Sequence, residues 1–301
     1  MDISIREMSR KRFFGSITAL VTPFDGSQFD QVAYAKLIEW QITFGTDGLV
    51  ILGTTGEASV VPFEEHAHII ECAVKIVNGR IPVIAGTGAN STQEAVMLSK
   101  QAEALGADAC LSVVPYYDKP TQEGLYRHFR MIAESTKLPI ILYDVPGRTV
   151  TALETITVMR LMDIPNIVGI KLASGDMRKG SEILRLCGCK LLVFSGDDHT
   201  HFPLMMLGAV GGISVTSNVV PRKMAEFWFE GRAGNFLRSR QIHFELEPLN
   251  SALFLETNPI MVKAALHQMG MIKLGYRLPL CEPSEVNMSK LESVLYSFGL
   301  I

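Results

Sequence analysis

Eight short apolar runs rich in Val and Ile recur along this chain of 301 residues and restrict its fold more than any other feature. Each run is almost continuously hydrophobic instead of alternating with polar residues, which is typical of parallel strands buried on both faces. The runs cover residues 16–21, 48–52, 82–85, 109–114, 140–143, 167–172, 191–195 and 211–215. They predict a largely parallel β-sheet.

Helical segments lie between these runs. Residues 31–44 repeat apolar side chains at roughly a 3.6-residue period, and residues 63–77 follow Pro62, which suits the first turn of a helix. Residues 92–105 and 121–136 begin beside Ser or Thr residues that can cap a helix. Eight strands alternating with helices predict a closed (β/α)8 barrel. An open doubly wound sheet is the alternative, but it usually has fewer strands, and no GxGxxG motif follows the first run.

The pattern changes after the eighth strand unit. Residues 235–246, 257–269 and 288–296 predict three helices with no strand between them, and no Gly/Ser-rich or Pro-rich linker precedes them. We therefore predict a catalytic barrel over residues 15–232 and a C-terminal helical appendage over residues 233–301. Residues 1–14 are predicted to be an N-terminal extension.

The composition argues against several classes of partner. Charged residues make up 20% of the chain and the net charge is −3, so we expect neither a nucleic-acid nor an anionic-membrane partner. No apolar run reaches the roughly 18 residues of a membrane span, and no apolar segment follows the basic residues near the start. A cytoplasmic protein is predicted.

The spacing of cysteine and histidine predicts no metal centre. The 5 cysteines form no CxxC pair and their number is odd, so buried thiols in a reducing compartment are expected. His66 and His68 would face different ways on a helix. The run from Asp197 to His201 offers possible ligands, but no further ligand cluster accompanies it.

Lys171 is the sharpest candidate for chemistry. It lies near the carboxyl end of an apolar run, where the loops of such barrels form the active site, whereas Lys36 and Lys75 fall on predicted helices that can face solvent. Burial favours the neutral amine that attack on a carbonyl requires. The alternative is an ammonium group that emerges at the strand end and pairs with Asp or Glu.

Two further strand ends carry suitable groups. The hydroxyl of Tyr143 could relay protons, and Arg148, after a Pro-Gly turn, could hold a carboxylate through two parallel hydrogen bonds. A buried tyrosine bonded to backbone is the alternative for Tyr143. The loop GTTGE, residues 53–57, offers backbone N–H groups and two hydroxyls for an anion. Its alternative is a glycine turn in which Glu57 caps a helix or pairs with a neighbour.

Several motifs together resemble one family. They are GTTGE (53–57), AGTGAN (85–90), PYY (115–117), YDVPGRT (143–149), GIK (169–171), SGDD (195–198) and SVTSN (214–218). In order and spacing, from about residue 15 to the last helix, they resemble dihydrodipicolinate synthases, members of the pyruvate-dependent class I aldolase barrels that include N-acetylneuraminate lyase.

The resemblance implies that Lys171 forms an imine with pyruvate. The enamine would attack the aldehyde of aspartate semialdehyde, and cyclisation would give hydroxytetrahydrodipicolinate, a precursor in the lysine pathway. Tyr143, Thr55 and Tyr117 would form a proton relay, with Tyr117 lent by the neighbouring subunit of a homodimer. Two such dimers often form a homotetramer in this family. No metal or organic cofactor is implied.

The resemblance also implies the substrate contacts. Thr54 and Thr55 would bind the pyruvate carboxylate, and Arg148 would bind the carboxylate of the aldehyde. Gly196 and Ile213 would shape the pocket around the lysine.

Three positions depart from the family pattern. Asp144 stands where Asn is frequent, Leu172 where Glu is frequent in the synthases, and Val150 where Gly is frequent. These positions bear on the choice of aldehyde. Two other hypotheses therefore stay open: a lyase or aldolase acting on N-acetylneuraminate or a 2-keto-3-deoxy sugar acid, and a non-catalytic barrel that binds 2-oxo acids.

The resemblance also places a possible lysine-binding regulatory site. Its residues would be Ala58, Ser59, His66, Asn90, Glu94 and Tyr116. Phe63 replaces a polar side chain that is often found in that site, so weak or absent inhibition by lysine is predicted.

Overall fold

A computed structural model describes residues 4–188 and 190–301. In these residues the strands are β1 Gly15–Ala19, β2 Phe24–Asp25, β3 Gln28–Phe29, β4 Gly48–Ile51, β5 Val83–Gly86, β6 Ala109–Val113, β7 Ile140–Asp144, β8 Ile167–Leu172, β9 Leu192–Ser195 and β10 Gly211–Ser214. The helices are α1 Ile5–Arg12, α2 Gln31–Thr43, α3 Phe63–Val77, α4 Thr92–Ala104, α5 Gln122–Ser135, α6 Pro146–Thr149, α7 Thr155–Leu161, α8 Met177–Cys187, α9 His201–Leu207, α10 Pro221–Arg232, α11 Phe236–Leu253, α12 Ile260–Gln268 and α13 Glu285–Ser297.

Eight of the strands form a closed barrel in the order β1-β10-β9-β8-β7-β6-β5-β4, and β2 pairs with β3 in a separate hairpin. Helices follow the barrel strands, and α11, α12 and α13 follow the last of these βα units. The predicted (β/α)8 barrel with a C-terminal helical appendage is confirmed, and each predicted strand is present. The hairpin was not predicted, although its two turn residues, Gly26-Ser27, begin with a glycine, and Gly26 has a φ of +59°.

The contacts of the chain group it into two compact units. Unit 1 comprises the described residues up to Gly15 together with Pro82–Ile213, and unit 2 comprises Ser16–Ile81 with Ser214–Ile301. The predicted boundaries after residues 14 and 232 follow the order of the elements along the chain and stay a prediction.

Unit 1 holds the parallel strands β5 to β9, each paired with the next, with one register shift between β7 and β8 at Ile140/Ile141. Tyr143 of β7 lies opposite Lys171 of β8, and Lys171 lies opposite Phe194 of β9. Part of the predicted N-terminal extension is helical in this unit, because Ser4 and Glu7 form a capping box at the start of α1.

Unit 2 holds β1 paired in parallel with β4, and the helical appendage. Helices α11, α12 and α13 pack on one another, and α10 packs on α11. Leu249 of α11, Met261 of α12 and Leu291 of α13 are fully buried. The appendage therefore belongs to a hydrophobic core and is not a loose tail.

Within residues 4–188 and 190–301, no helix combines the length and apolarity needed to cross a bilayer. Cys72, Cys110, Cys187 and Cys281 are free thiols. The first three are buried as expected, whereas Cys281 is exposed, so the prediction of buried thiols is wrong for that residue. Cys189 lies outside the described residues.

Candidate active site

Lys171 lies inside the barrel strand β8, and all six residues of this strand are buried. The lysine is 6% exposed. Its Nζ lies 4.3 Å from the centroid of the Tyr143 ring. Among the residues that the structure describes, no carboxylate lies within ion-pair distance of Nζ, so the alternative of a lysine paired with an acid is not what the structure shows.

Tyr143 reaches this position because it faces Lys171 across the β7–β8 ladder. It is 6% exposed and lies one residue before the carboxyl end of β7. The contact places the lysine head group over the face of the tyrosine ring. The structure thus brings two of the predicted site residues, Lys171 and Tyr143, into contact at neighbouring strand ends in unit 1.

Gly196 lies on the other side of the lysine. Its N–H donates to the carbonyl of Leu172 at 2.7 Å, and a Cβ built on it would lie 2.5 Å from Lys171 Cε. Only a glycine fits this close approach. Ile213 of β10 is fully buried and follows the register pair Gly212–Ser195, which brings it level with Gly196.

A buried chain of polar groups supports the strand before Gly196. Ser195 Oγ lies 2.7 Å from Nδ1 of His201, and Nε2 of His201 lies 3.1 Å from Oδ1 of Asp198. All three side chains are at least 98% buried. The run from Asp197 to His201 thus forms an internal cluster of polar contacts, and no metal-ligand cluster occurs among the described residues.

Arg148 and Tyr117 are on exposed segments of unit 1. Arg148 is exposed in α6, directly after β7. Tyr117 is 85% exposed and has a φ of +78°, a conformation that is strained for a tyrosine. The structure therefore does not place Tyr117 in the same buried cluster as Lys171 and Tyr143.

Asp144 and Leu172, two of the departures from the family pattern, face away from the candidate site. Successive side chains of a strand point to opposite faces, so Asp144 and Leu172 point away from the side that Tyr143 and Lys171 occupy. The Asp144 carboxylate accepts from Leu153 N at 2.9 Å and from Lys179 Nζ at 2.5 Å. These two departures therefore change the contact with the helices and leave the lysine side unaltered. Val150, the third, is exposed and holds a φ of +63° at the end of α6.

The GTTGE loop lies in unit 2, directly after β4. It is tightly turned, since Gly56 N donates to Gly53 O at 3.1 Å and Glu57 N donates to Thr54 O at 3.0 Å. Thr54 is partly buried. Thr55 is 3% exposed, and its Oγ1 accepts a hydrogen bond of 2.9 Å from Asn258 Nδ2. This places the Thr55 hydroxyl in a defined position rather than in solvent.

Glu57 is not free to meet a substrate. Its carboxylate lies 2.5 Å from Lys263 Nζ, and both side chains are fully buried. Burial lowers the pKa of Lys263, opposed by the neighbouring Glu57 carboxylate. Lys263 was missed in the sequence although it interrupts the apolar helix α12, which is the same kind of signal that singled out Lys171.

The predicted lysine-binding residues fall on both units. In unit 1, burial and the charge of Glu94 raise the pKa of the Tyr116 hydroxyl, and a hydrogen bond to the Asn90 backbone opposes this. The remaining residues lie in unit 2, on a short 3₁₀ helix and on α3: Ala58, Ser59, Phe63 and His66.

A (β/α)8 barrel with a lysine buried at the end of a strand, beside a tyrosine and without an acidic partner among the described residues, defines an imine-forming barrel enzyme. A family model described as the dihydrodipicolinate synthetase family matches residues 12–297. The chain belongs to that family.

Several known proteins are similar to this chain over nearly its whole length. The 4-hydroxy-tetrahydrodipicolinate synthase of Thermodesulfovibrio yellowstonii is 57% identical over 289 residues, covering 96% of this chain and 99% of that protein. The crystal structure of the chloride-inhibited dihydrodipicolinate synthase of Acinetobacter baumannii complexed with pyruvate is 48% identical with a TM-score of 0.94, covering 96% of this chain and 99% of that one. The crystal structure of the Cyanidioschyzon merolae enzyme with lysine bound is 36% identical with a TM-score of 0.93, covering 96% of this chain and 100% of that one.

Proposed function

We propose that this chain is a lyase that condenses pyruvate with L-aspartate 4-semialdehyde to give 4-hydroxy-tetrahydrodipicolinate, a step in lysine and diaminopimelate biosynthesis. The observation that carries the proposal is the Lys171 amine, 6% exposed, lying against the Tyr143 ring with no carboxylate in ion-pair distance among the described residues. The relatives named 4-hydroxy-tetrahydrodipicolinate synthase support the choice of reaction.

The chemistry starts with the neutral amine of Lys171 adding to C2 of pyruvate. Loss of water from the carbinolamine leaves a protonated imine, which accepts electrons when the methyl group releases a proton and so forms the enamine. The enamine carbon attacks the aldehyde, whose oxygen takes up a proton. The amino group of the semialdehyde then attacks C2 and displaces the lysine amine, so that the net by-product is one water.

Each predicted residue has a role in this sequence. Tyr143, Thr55 and Tyr117 relay protons, and Thr54 with Thr55 binds the pyruvate carboxylate. The remaining substrate contacts are Arg148, Gly196 and Ile213. The support is that Tyr143 and Gly196 contact Lys171 directly, that Thr55 has a held hydroxyl, and that Arg148 follows the strand of Tyr143.

We also propose that the active form is a homodimer, or a homotetramer built as a dimer of dimers, in which Tyr117 is lent to the partner. A tyrosine that is 85% exposed and held at a positive φ costs conformational free energy, which contacts with a partner subunit would offset. Tyr117→Phe and Lys171→Ala chains, each inactive alone, should regain activity when mixed and allowed to exchange subunits. Failure of the mixture to regain activity would show that Tyr117 acts within its own chain or not at all.

We place the reaction in the cytoplasm, where the four free thiols of the described residues would stay reduced. The protonated imine accepts the electron pair when the methyl group loses its proton, and the enamine then supplies that pair to the aldehyde carbon. The reaction therefore requires no metal or organic cofactor.

The substrate is tested by comparing three candidates at equal enzyme concentration: aspartate semialdehyde with pyruvate, N-acetylneuraminate, and 2-keto-3-deoxygluconate. We expect kcat/KM for the first to exceed the others by at least about 10³-fold, because a site built to pair one carboxylate rejects substrates that leave it unpaired. A larger value for either sugar acid would assign the chain to a different aldehyde.

A further inference from the structure

Asn258 ties the helical appendage to a residue of the proposed relay. It lies two residues before α12, and its Nδ2 donates to Thr55 Oγ1 at 2.9 Å. The two residues are 203 positions apart in sequence. Asn258 is 6% exposed and Thr55 is 3% exposed, so the hydrogen bond is shielded from water.

This hydrogen bond gives the Thr55 hydroxyl a direction. An amide NH2 group can only donate, and a hydroxyl has one proton and two lone pairs. When Asn258 donates to one lone pair, the proton of Thr55 must point to another acceptor. A proton relay needs a hydroxyl whose donor and acceptor sides are set in this way.

The same segment holds the other end of the GTTGE loop. Lys263 of α12 pairs with Glu57 at 2.5 Å inside the core, and Arg277 N donates to the other oxygen of Glu57 at 3.4 Å. Leu52, which precedes the loop, and Glu57, its last residue, have φ values of +55° and +58°. Non-glycine residues keep such a conformation only when their surroundings hold them there.

We propose that Asn258 is a positioning residue that orients the Thr55 hydroxyl, and that the segment around α12 thereby completes the active-site loop. This inference rests on the proposed function, because it assigns Thr55 to proton transfer. Asn258 acts through Thr55, so its loss slows the proton-transfer steps and leaves the amine of Lys171 in place.

The test compares Asn258→Ala and Asn258→Asp with a matched control, Asn250→Ala. Asn250 is buried in α11 and its Oδ1 accepts from Thr216 Oγ1 at 2.7 Å, so the control also removes a buried Asn–Thr hydrogen bond in unit 2. Borohydride trapping of pyruvate on Lys171 counts the folded active sites of every variant. Each rate is expressed per trapped site, which removes any loss of folded protein.

We expect kcat per trapped site to fall by about 10–10²-fold in both Asn258 variants, with pyruvate still trapped on Lys171. Asn258→Asp should not restore the kcat that Asn258→Ala loses, because a carboxylate accepts a hydrogen bond from Thr55 instead of donating one. The pH profile of kcat should also shift in the Asn258 variants and not in Asn250→Ala, whose kcat should stay within about twofold of the wild type.

Two results would overturn the inference. One is an Asn258→Asp or Asn258→Ala enzyme with the kcat and pH profile of the wild type. The other is an equal loss in Asn250→Ala, which would show a general packing effect. Failure of the wild-type chain to trap pyruvate would instead refute the proposed function itself.

Discussion

Gly196 packs directly against the aliphatic chain of Lys171. A Cβ on Gly196 would come within 2.5 Å of Lys171 Cε and 2.8 Å of Cγ, and within 3.0 Å of Ala173 Cβ. Distances this short cannot be kept, so any side chain at position 196 must displace the lysine. The glycine therefore sets where the amine can lie.

Gly196→Ala should lower the rate of imine formation by about 10²-fold, the usual penalty for misplacing a reacting group by roughly 1 Å. Single-turnover trapping of pyruvate measures this rate. Gly124→Ala is the control, because a Cβ there would meet only ordinary contacts, the nearest 3.5 Å away. An alanine at 196 that traps pyruvate at the wild-type rate would show that the glycine does not constrain the lysine.

Asp144 should contribute to stability and not to imine formation. Asp144→Ala leaves Lys179, which is 15% exposed, and Leu153 N without their acceptor. We expect the free energy of unfolding in urea to fall by about 2–4 kcal/mol, with pyruvate trapping per folded molecule unchanged. A double-mutant cycle with Lys179→Met isolates the pair. Loss of trapping at unchanged stability would place Asp144 among the substrate contacts.

The barrel was predictable because its signal is local. Each buried strand is an apolar run, and Lys171 stands out because it interrupts one near its carboxyl end, although position alone left an ion-paired lysine as the alternative. Tyr143 was a candidate because parallel strands bring their carboxyl ends to one edge, but its position left a buried tyrosine bonded to backbone as the alternative. The family motifs then supplied the roles that position cannot give.

The supports of the loop were not predictable in the same way. The contact of Asn258 with Thr55 joins residues 203 positions apart, and that of Lys263 with Glu57 joins residues 206 apart. Neither the hydrophobic period nor the spacing of motifs in the sequence predicts contacts between such distant residues. They depend on how the C-terminal helices pack. The short hairpin of β2 and β3 was missed for a different reason, because strands of two residues have no detectable period.

His128 should make stability depend on pH. Burial lowers its pKa from 6.5 to about 4. Above pH 6.5 the imidazole is neutral in both states. Between pH 6.5 and about 4 the unfolded chain binds a proton that the folded chain does not. The free energy of unfolding should therefore decrease as the pH is lowered through this window, by up to about 3 kcal/mol.

Replacement of this histidine tests the effect. His128→Gln should flatten the dependence of urea midpoints on pH across that window, whereas His68→Gln, a change of an exposed histidine on α3, should not. An unchanged slope in His128→Gln would mean that other groups cause the acid sensitivity.

L-Lysine should inhibit weakly or not at all. Phe63, which is 38% exposed on α3, stands where the family resemblance implies a polar side chain in the proposed lysine site. Initial rates should be unaffected by L-lysine up to about 1 mM, a concentration that corresponds to only about 4 kcal/mol of binding free energy. Inhibition at lower concentrations would show that the ring is tolerated.

The central claim is that Lys171 is the nucleophile, and covalent trapping tests it most directly. The chain is incubated with pyruvate and borohydride, digested, and its peptides are identified by mass spectrometry. We expect one reduced pyruvate on Lys171, none on Lys263, the fully buried lysine paired with Glu57, and none in Lys171→Ala. Absence of the adduct from Lys171, or an equivalent adduct on another lysine, would contradict the account.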